Sequence, residues 1–541
     1  MDSDVPVARR ILEALAAANV ETVFGLPGVH NLAFWREAGE GLPAIVGVRH
    51  EQTAVYAADG LARASGGLGV ALTTTGPGAA NAAGAFGEAA ASGSPVLLIA
   101  SEISTRYAKP GVKRGVLHES RDQAAIFEPL AKAVFRPRTA EEVSAAVGEA
   151  IRAAMTSPRG PVYLDVPTDL LDAPAPAVRA LALAPVEPPA DQVEELAEAI
   201  GQAQRVVIWA GGGVVQADAG DALSRLARAL AAPVVTTYTA RGILPPEHEC
   251  LVGLPPHEPE VARLIAEADL LLVVGSDLDG MMTRNWQMPV PDRIAIVNCA
   301  AEDLSKNYQP AVAVLGDARI TLERLLDLLP DGARDLPDLA ALRRTLHDRL
   351  GADGRNEEPL RFLATVNGVL APDTPVVADM AIPGYWFGGY GAVSQPRRLQ
   401  YPVGWGTLGY ALPASIGAAV AQAGPVLAIC GDGGIMFALG ELATIAQERL
   451  PVTVLLVDDG GYGMLRFDQD HAGDPHRGVD LLAPDWAQLA QSFGIAAAVV
   501  QGVGEDLRRA LQDAIGSKEP RLVVCQASMI PPRTTSPRWF E

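Results

Sequence analysis

Short runs rich in Val, Ile and Leu recur along this 541-residue chain, and most are followed by an Ala-rich stretch of helical character. AIVGV, GVALTTT, SPVLLIAS, PVYLDV, RVVIWAGG, LLLVVGS, RIAIVN, TPVVAD, VLAICGD, VTVLLVDD and RLVVCQ are of this kind. A strand apolar on both faces needs cover on both sides. When helices separate such strands, the sheet they form is parallel. The expected fold class is therefore α/β, with doubly wound parallel sheets. Two stretches interrupt the alternation: 172–190, rich in Pro and Ala, and 329–357, charged and leading into a new helix. They leave three blocks, 1–171, 190–330 and 357–541, each the size of an α/β domain.

The bulk chemistry limits what such a chain handles. Apolar residues make up 49% and charged residues 20%, and no uninterrupted apolar run reaches the ~18 residues of a membrane span. The opening MDSDVPVARRILEALAAANV reads as an amphipathic helix rather than a signal peptide. Cys250, Cys299, Cys430 and Cys525 are scattered with no CxxC pair, which points to a reducing cytoplasm without disulfides or zinc. A formal charge of −21 argues against nucleic acid and anionic membranes as partners. A phosphate-bearing ligand must then be held locally, by a metal ion and aimed backbone N–H groups.

The third block contains the means to do so. LAICGDGGIMFALGELATIAQERLPVTVLLVDDGGYGMLR reads as strand, GDGG turn, the helix FALGELATIAQER, and a second strand ending in Asp458 and Asp459. Strand carboxyl ends in a parallel sheet converge on the crevice where ligands bind, which sets Asp432 beside Asp459. Two carboxylates there suit Mg²⁺, which takes phosphate oxygens and water as its remaining ligands. Gly433 and Gly434 let the backbone approach a phosphate at a helix start. A bare GDG is a common turn; the combination with the second strand and its acidic pair is more specific.

This segment resembles the thiamine diphosphate motif, which begins GDG and closes with paired Asn. The chain carries Asp458-Asp459 where that family usually shows Asn-Asn. The resemblance implies Asp432, Asp459 and the Gly461 carbonyl as metal ligands, with Gly433, Gly434, Tyr462, Gly463 and Met464 against the cofactor. Asp in place of Asn keeps a side-chain oxygen and adds a negative charge. In the first block, RHEQ, AADGLARASG and TTTGPGAANAAGA resemble the family's cofactor-activating segment. Glu51 opens a helix among Val48, Ala54, Val55, Ala57 and Ala58, where a desolvated carboxyl is suited to sharing a proton with a ring nitrogen. By the resemblance it hydrogen-bonds the aminopyrimidine and promotes the imino tautomer. The segment YPVGWGTLGYALPASIGAAVA resembles the one that bends the cofactor, with Leu408 wedged beneath its rings and the Gly406 carbonyl accepting its 4′-amino group. The three domains are then pyrimidine-binding, central Rossmann-like and diphosphate-binding. The family places Glu51 and the metal on different subunits, so a homodimer or homotetramer is implied.

The closest pattern is the acetolactate-synthase-like group of 2-oxo acid decarboxylases and carboligases. Ser101-Glu102 stands where acetolactate synthases have Gly-Gln, and VVGSDLDGMM has no Arg beside Asp277 for a second substrate's carboxylate. His30 in FGLPGVHN and His118 in GVLHESRDQ are candidates for proton exchange with the reacting substrate, Glu119 standing beside His118 in a polar loop; packed loop histidines are the plainer reading. His50 should point away from Glu51's target. Trp386, Trp405, Tyr462 and Met464 are candidate pocket walls, and GYGMLRFDQDHAGDPHRGVDLLAPDW a candidate closing loop. The tail SMIPPRTTSPRWFE either folds over the pocket or frays. RVVIWAGGG in the central block leaves room for FAD or ADP, or for a plain structural turn. Three other functions compete: a 2-hydroxyacyl-CoA lyase with ADP, a flavin or nicotinamide oxidoreductase, and a silent binding protein. The oxidoreductase needs an acidic ribose ligand near Ala231–Val235, where none stands.

Overall fold

In the computed structural model, residues 5–533 are described except 110, 180, 330–333 and 423. Among them are three wholly parallel sheets. The first contains β1 (Thr22–Gly25), β2 (Ala44–Gly47), β3 (Gly69–Thr73), β4 (Val96–Glu102), β5 (Ala133–Phe135) and β6 (Val162–Pro167), in the order β2-β1-β3-β4-β6-β5. The second contains β7 (Val206–Ala210), β8 (Val234–Thr236), β9 (Leu270–Val274), β10 (Ile294–Asn298) and β11 (Val312–Leu315), ordered β11-β10-β9-β7-β8. The third contains β12 (Val376–Ala378), β13 (Leu399–Gln400), β14 (Val426–Gly431), β15 (Val452–Asp458), β16 (Ala496–Gln501) and β17 (Arg521–Gln526), ordered β13-β12-β14-β15-β17-β16. The α/β class is as the alternation required. Alternate residues of one strand feed opposite cores: Val70 and Leu72 enter one, Ala71 the other.

The first and third domains share a core. Its seam is the helix Glu51–Ser65 laid against the helix Ala411–Gln422. Gly60 and Gly417 permit the contact, because a Cβ on Gly60 would lie 2.1 Å from the Ala414 carbonyl oxygen and one on Gly417 1.8 Å from that of Ala57. Both helices follow loops that build the sites described below, so the seam sets the position of each.

Three segments differ from expectation. FALGELATIAQER is not one helix: a turn at Asp432–Ile435 is followed by a 3₁₀ turn at Leu439–Glu441 and a helix at Leu442–Gln447. At the break stand Gly440, a poor helix former, and Glu441, which is buried and accepts hydrogen bonds from Arg49 N of the first domain at 2.9 Å and Thr444 Oγ1 at 2.6 Å. The candidate closing loop begins as the helix Gly463–Ala472. The charged stretch 329–357 carries the helix Leu339–Ala352, which buries Leu339, Leu346 and Leu350. No helix among the described residues is long and apolar enough to cross a membrane.

Candidate active site

β14 and β15 are neighbours, with Gly431 opposite Val457, so Asp432 and the pair Asp458-Asp459 emerge side by side at the carboxyl edge of the third sheet. They open on a cavity of about 150 Å³ whose lining includes Met380, Leu408, Asp432, Gly433, Gly434, Asp459, Gly461, Tyr462, Gly463 and Met464. Burial, and then the charges of Asp459 and Asp458, push the Asp432 carboxyl up to about 7. Burial also raises Asp459, against the pull of Arg466. Carboxylates crowded at this cost form a donor set that a divalent cation would relieve. Among the described residues no group of three His, Cys, Asp or Glu is placed to hold a metal, so a third ligand must come from elsewhere, and the backbone at Gly461 lines the same cavity. These residues fit Mg²⁺ and a diphosphate.

Leu408 reaches this cavity from a loop whose flanking glycines, Gly406 and Gly409, both have left-handed φ, +74° and +75°. Asp379, next after β12, fastens the loop and went unnoticed in the sequence. Fully buried, its carboxylate accepts from Gly409 N at 3.0 and 3.1 Å, Met380 N at 2.9 Å and Tyr410 N at 3.3 Å. Burial raises it to about 6 despite those backbone bonds. Position alone could have flagged it, since TPVVAD ends in an acid at a strand carboxyl end.

A second cluster gathers in the first domain around the turn Thr74–Gly78. Glu51, 7% exposed, is the first residue of its helix; His50 caps that helix through Nδ1 and points away. Asn81 Nδ2 donates to Glu51 Oε2 at 3.0 Å, a partner that sequence reasoning missed. A Cβ on Gly78 would lie 3.2 Å from Glu51 Oε1, and one on Gly76 2.4 Å from the His118 carbonyl oxygen, so the turn touches both residues. His30 and His118 meet edge to face with ring centroids 5.1 Å apart, and neither buried Nδ1 has a hydrogen-bond partner. Burial, then His118, lowers the His30 pKa. Glu119, beside His118, is engaged within its own loop. Desolvation raises its carboxyl, but N–H bonds from Val116, Gly115 and Arg114 outweigh it, so this side chain clasps its own loop. Gln123, also missed, accepts from Gly76 N at 2.5 Å and donates to Asp165 Oδ1 at 2.8 Å, anchoring the turn to the sheet.

The two clusters do not meet within one chain: the residues lining the Asp432 cavity come from the third domain, and Glu51 is not among them. Trp386 is core, not wall, fully buried with Nε1 donating to the Ile530 carbonyl at 2.7 Å. Trp405 is exposed and packs on Gly87. The last residues of the tail, 534–541, lie outside the described residues. A separate cleft of about 1000 Å³ between the domains is lined by Lys132, Arg159, Gly212, Asp277, Asn298 and Lys306 among others. The N–H groups of Gly211 and Gly213 bond the carbonyls of Val274 and Gly275, so the glycine turn spends these donors on the neighbouring strand.

Residues 6–126 match the thiamine pyrophosphate enzyme N-terminal TPP binding domain, 193–325 its central domain and 381–525 its C-terminal TPP binding domain. The chain is similar to a probable 2-ketoarginine decarboxylase of Pseudomonas aeruginosa, 35% identical over 95% of this chain and 92% of that one. It is similar to a probable acetolactate synthase large subunit of Methanocaldococcus jannaschii, 30% identical over 95% and 91%. An acetolactate synthase large subunit of Corynebacterium glutamicum is also 30% identical, over 94% and 84%.

Proposed function

The chain belongs to the thiamine pyrophosphate enzymes, and on that premise we propose that it acts on a small 2-oxo acid, by decarboxylation, carboligation or both. The observation that carries the reading is the pair of half-sites: crowded carboxylates beside Leu408 in one domain, and a buried Glu51 held by Asn81 in another. When bound, thiamine diphosphate supplies an electron sink next to the substrate carbonyl. Asp432, Asp459 and the Gly461 carbonyl hold Mg²⁺. Gly433, Gly434, Tyr462, Gly463 and Met464 flank the diphosphate, Leu408 supports the rings, and the Gly406 carbonyl accepts the 4′-amino group. Glu51 holds a proton at the aminopyrimidine nitrogen, and Asn81 aims it. His30 and His118, close-packed with spare ring nitrogens, exchange protons with the substrate.

The working unit in this reading is a homodimer, or a tetramer built from it, in the cytoplasm. Supporting it, Glu51 lies away from the cavity of its own chain, and Trp405, Met436 and Phe437 expose apolar surface as an interface would. The 2-hydroxyacyl-CoA lyase and oxidoreductase readings are not favoured. FAD or ADP in the central cleft takes no part in the chemistry assigned here; a yellow preparation would reveal the flavin.

The test is a screen of 2-oxo acids, pyruvate and 2-ketoarginine included, with thiamine diphosphate and Mg²⁺, comparing wild type with Glu51→Gln. Turnover by wild type alone is expected. No turnover of any 2-oxo acid, with no cofactor binding, would refute the reading.

A further inference from the structure

Asp459 stands where the motif resemblance noted above implies Asn, and a full negative charge beside a diphosphate should repel it. The structure contains an offset. Arg466, on the helix Gly463–Ala472, donates through Nη2 to Asp459 Oδ1 at 2.6 Å and to the Asp459 carbonyl at 2.7 Å. The pair is well shielded, with 23% of the arginine side chain and 16% of the aspartate exposed. The next carboxylate to Arg466, Asp480, stands 3.9 Å from Nε and is largely exposed, so Asp459 is the main partner. Asp458 is held separately, accepting from Trp486 Nε1 at 3.0 Å and Gly460 N at 3.2 Å. The other Asp459 oxygen, Oδ2, lies over Gly463, where a Cβ would come within 2.0 Å, and Asp459 lines the cavity with Asp432.

We infer that Arg466 is a charge-balancing positioning residue: with Asp459 it presents a carboxylate oxygen to the metal at the net charge of a neutral amide. One guanidinium thus makes the Asp compatible with a diphosphate, and its double grip on side chain and carbonyl fixes the direction of that oxygen. The inference rests on the cofactor reading above. Each partner alone should then be harmful in its own way. Losing Arg466 leaves an uncompensated carboxylate facing the diphosphate. Changing Asp459 to Asn leaves an uncompensated guanidinium facing the metal. Losing both restores the balance.

The experiment is a double-mutant cycle on the full-length protein: wild type, Asp459→Asn, Arg466→Gln, the double variant and Arg466→Lys. Calorimetry measures thiamine diphosphate affinity at saturating Mg²⁺, and Mg²⁺ affinity at saturating cofactor. Arg466→Gln should weaken the cofactor about tenfold and Asp459→Asn should weaken Mg²⁺ about tenfold, the usual scale for one charge-assisted bond. The double variant should return to within about threefold of wild type on both, and Arg466→Lys, keeping the charge, should fall less than Arg466→Gln. Circular dichroism of each apoprotein checks folding; should Arg466→Gln unfold, the double variant and Arg466→Lys still decide. Losses that multiply in the double variant, or Arg466→Lys as weak as Arg466→Gln, overturn the inference. A wild type that binds no thiamine diphosphate with Mg²⁺ refutes the underlying reading instead.

Discussion

Gly417→Ala tests whether the seam between the first and third domains governs the site. In an ordinary helix this change stabilises by about 1 kcal/mol, since Gly is the poorer helix former. At Gly417 the new Cβ would sit 1.8 Å from the Ala57 carbonyl oxygen and 2.6 Å from Leu61 N. Both are backbone atoms of the opposing helix, so no side chain can swing away, and the helices must part by roughly 1 Å or more to reach van der Waals distance. Overpacking of this kind costs about 1–3 kcal/mol, at the upper end where backbone must move, leaving a net loss of about 2 kcal/mol after the propensity gain. The thermal midpoint should fall by about 4–8 °C for a cooperative unit of domain size. Glu51 starts the displaced helix, so thiamine diphosphate affinity should fall as well. Gly351→Ala is the control: it lies in the helix Leu339–Ala352 with nothing within 4 Å of its Cβ, and should be neutral or slightly stabilising. Calorimetric scans of the three proteins decide. Equal midpoints for Gly417→Ala and Gly351→Ala would refute the argument that close backbone approach at the seam is what these glycines serve.

Four further outcomes are expected. Glu51→Gln should bind thiamine diphosphate within a few-fold of wild type yet lose turnover by about 10²-fold or more, read as kcat against cofactor titration. His30→Ala and His118→Ala should each lower kcat by about 10²-fold without altering cofactor affinity; unchanged kcat in both would reduce the pair to loop packing. Asp379 is held at about 6 against an ordinary 3.8, so between those values the folded protein keeps a proton the unfolded chain has released, and stability falls as pH rises through that window. The drop amounts to about 3 kcal/mol, and Asp379→Asn should remove it, so the wild-type midpoint should fall relative to that of the variant from pH 4 to pH 7. Chelation of divalent metal should abolish activity and loosen the cofactor together, with Mg²⁺ restoring both.

Central strands were legible because being apolar on both faces is a demanding pattern. β14 and β15 are buried almost throughout, and their sequences announce it. Edge strands lack that signature: β16 is exposed along much of its length and β13 pairs over two residues, so neither stood out. The broken helix after GDGG was hidden for another reason. Its local propensity is mostly helical; Gly440 weakens it at the break, and there Glu441 reaches Arg49, a contact 392 residues away in sequence. Propensity carries no information about such a partner.

The site divides along the same line. The placement of Asp432, Asp459 and Glu51 could be read from the sequence because each follows a strand or opens a helix, where topology alone fixes the neighbourhood. Their partners could not. Asn81 is thirty residues from Glu51 across a turn, and Gln123 reaches Gly76 through a loop of no regular structure. Asp459 shows what is at stake. From sequence the extra carboxylate counts as a departure that either tightens the metal or weakens the diphosphate, because charge is visible residue by residue while compensation is not. Arg466 lies seven residues further on, a spacing of about 10 Å along an unbroken helix and too far for contact; the glycine turn at 460–461 brings it back onto Asp459. A substitution in a ligand set is therefore weighed properly only with the charge that faces it. On the inference drawn above, the facing charge of Arg466 makes Asp459 the functional equivalent of an Asn.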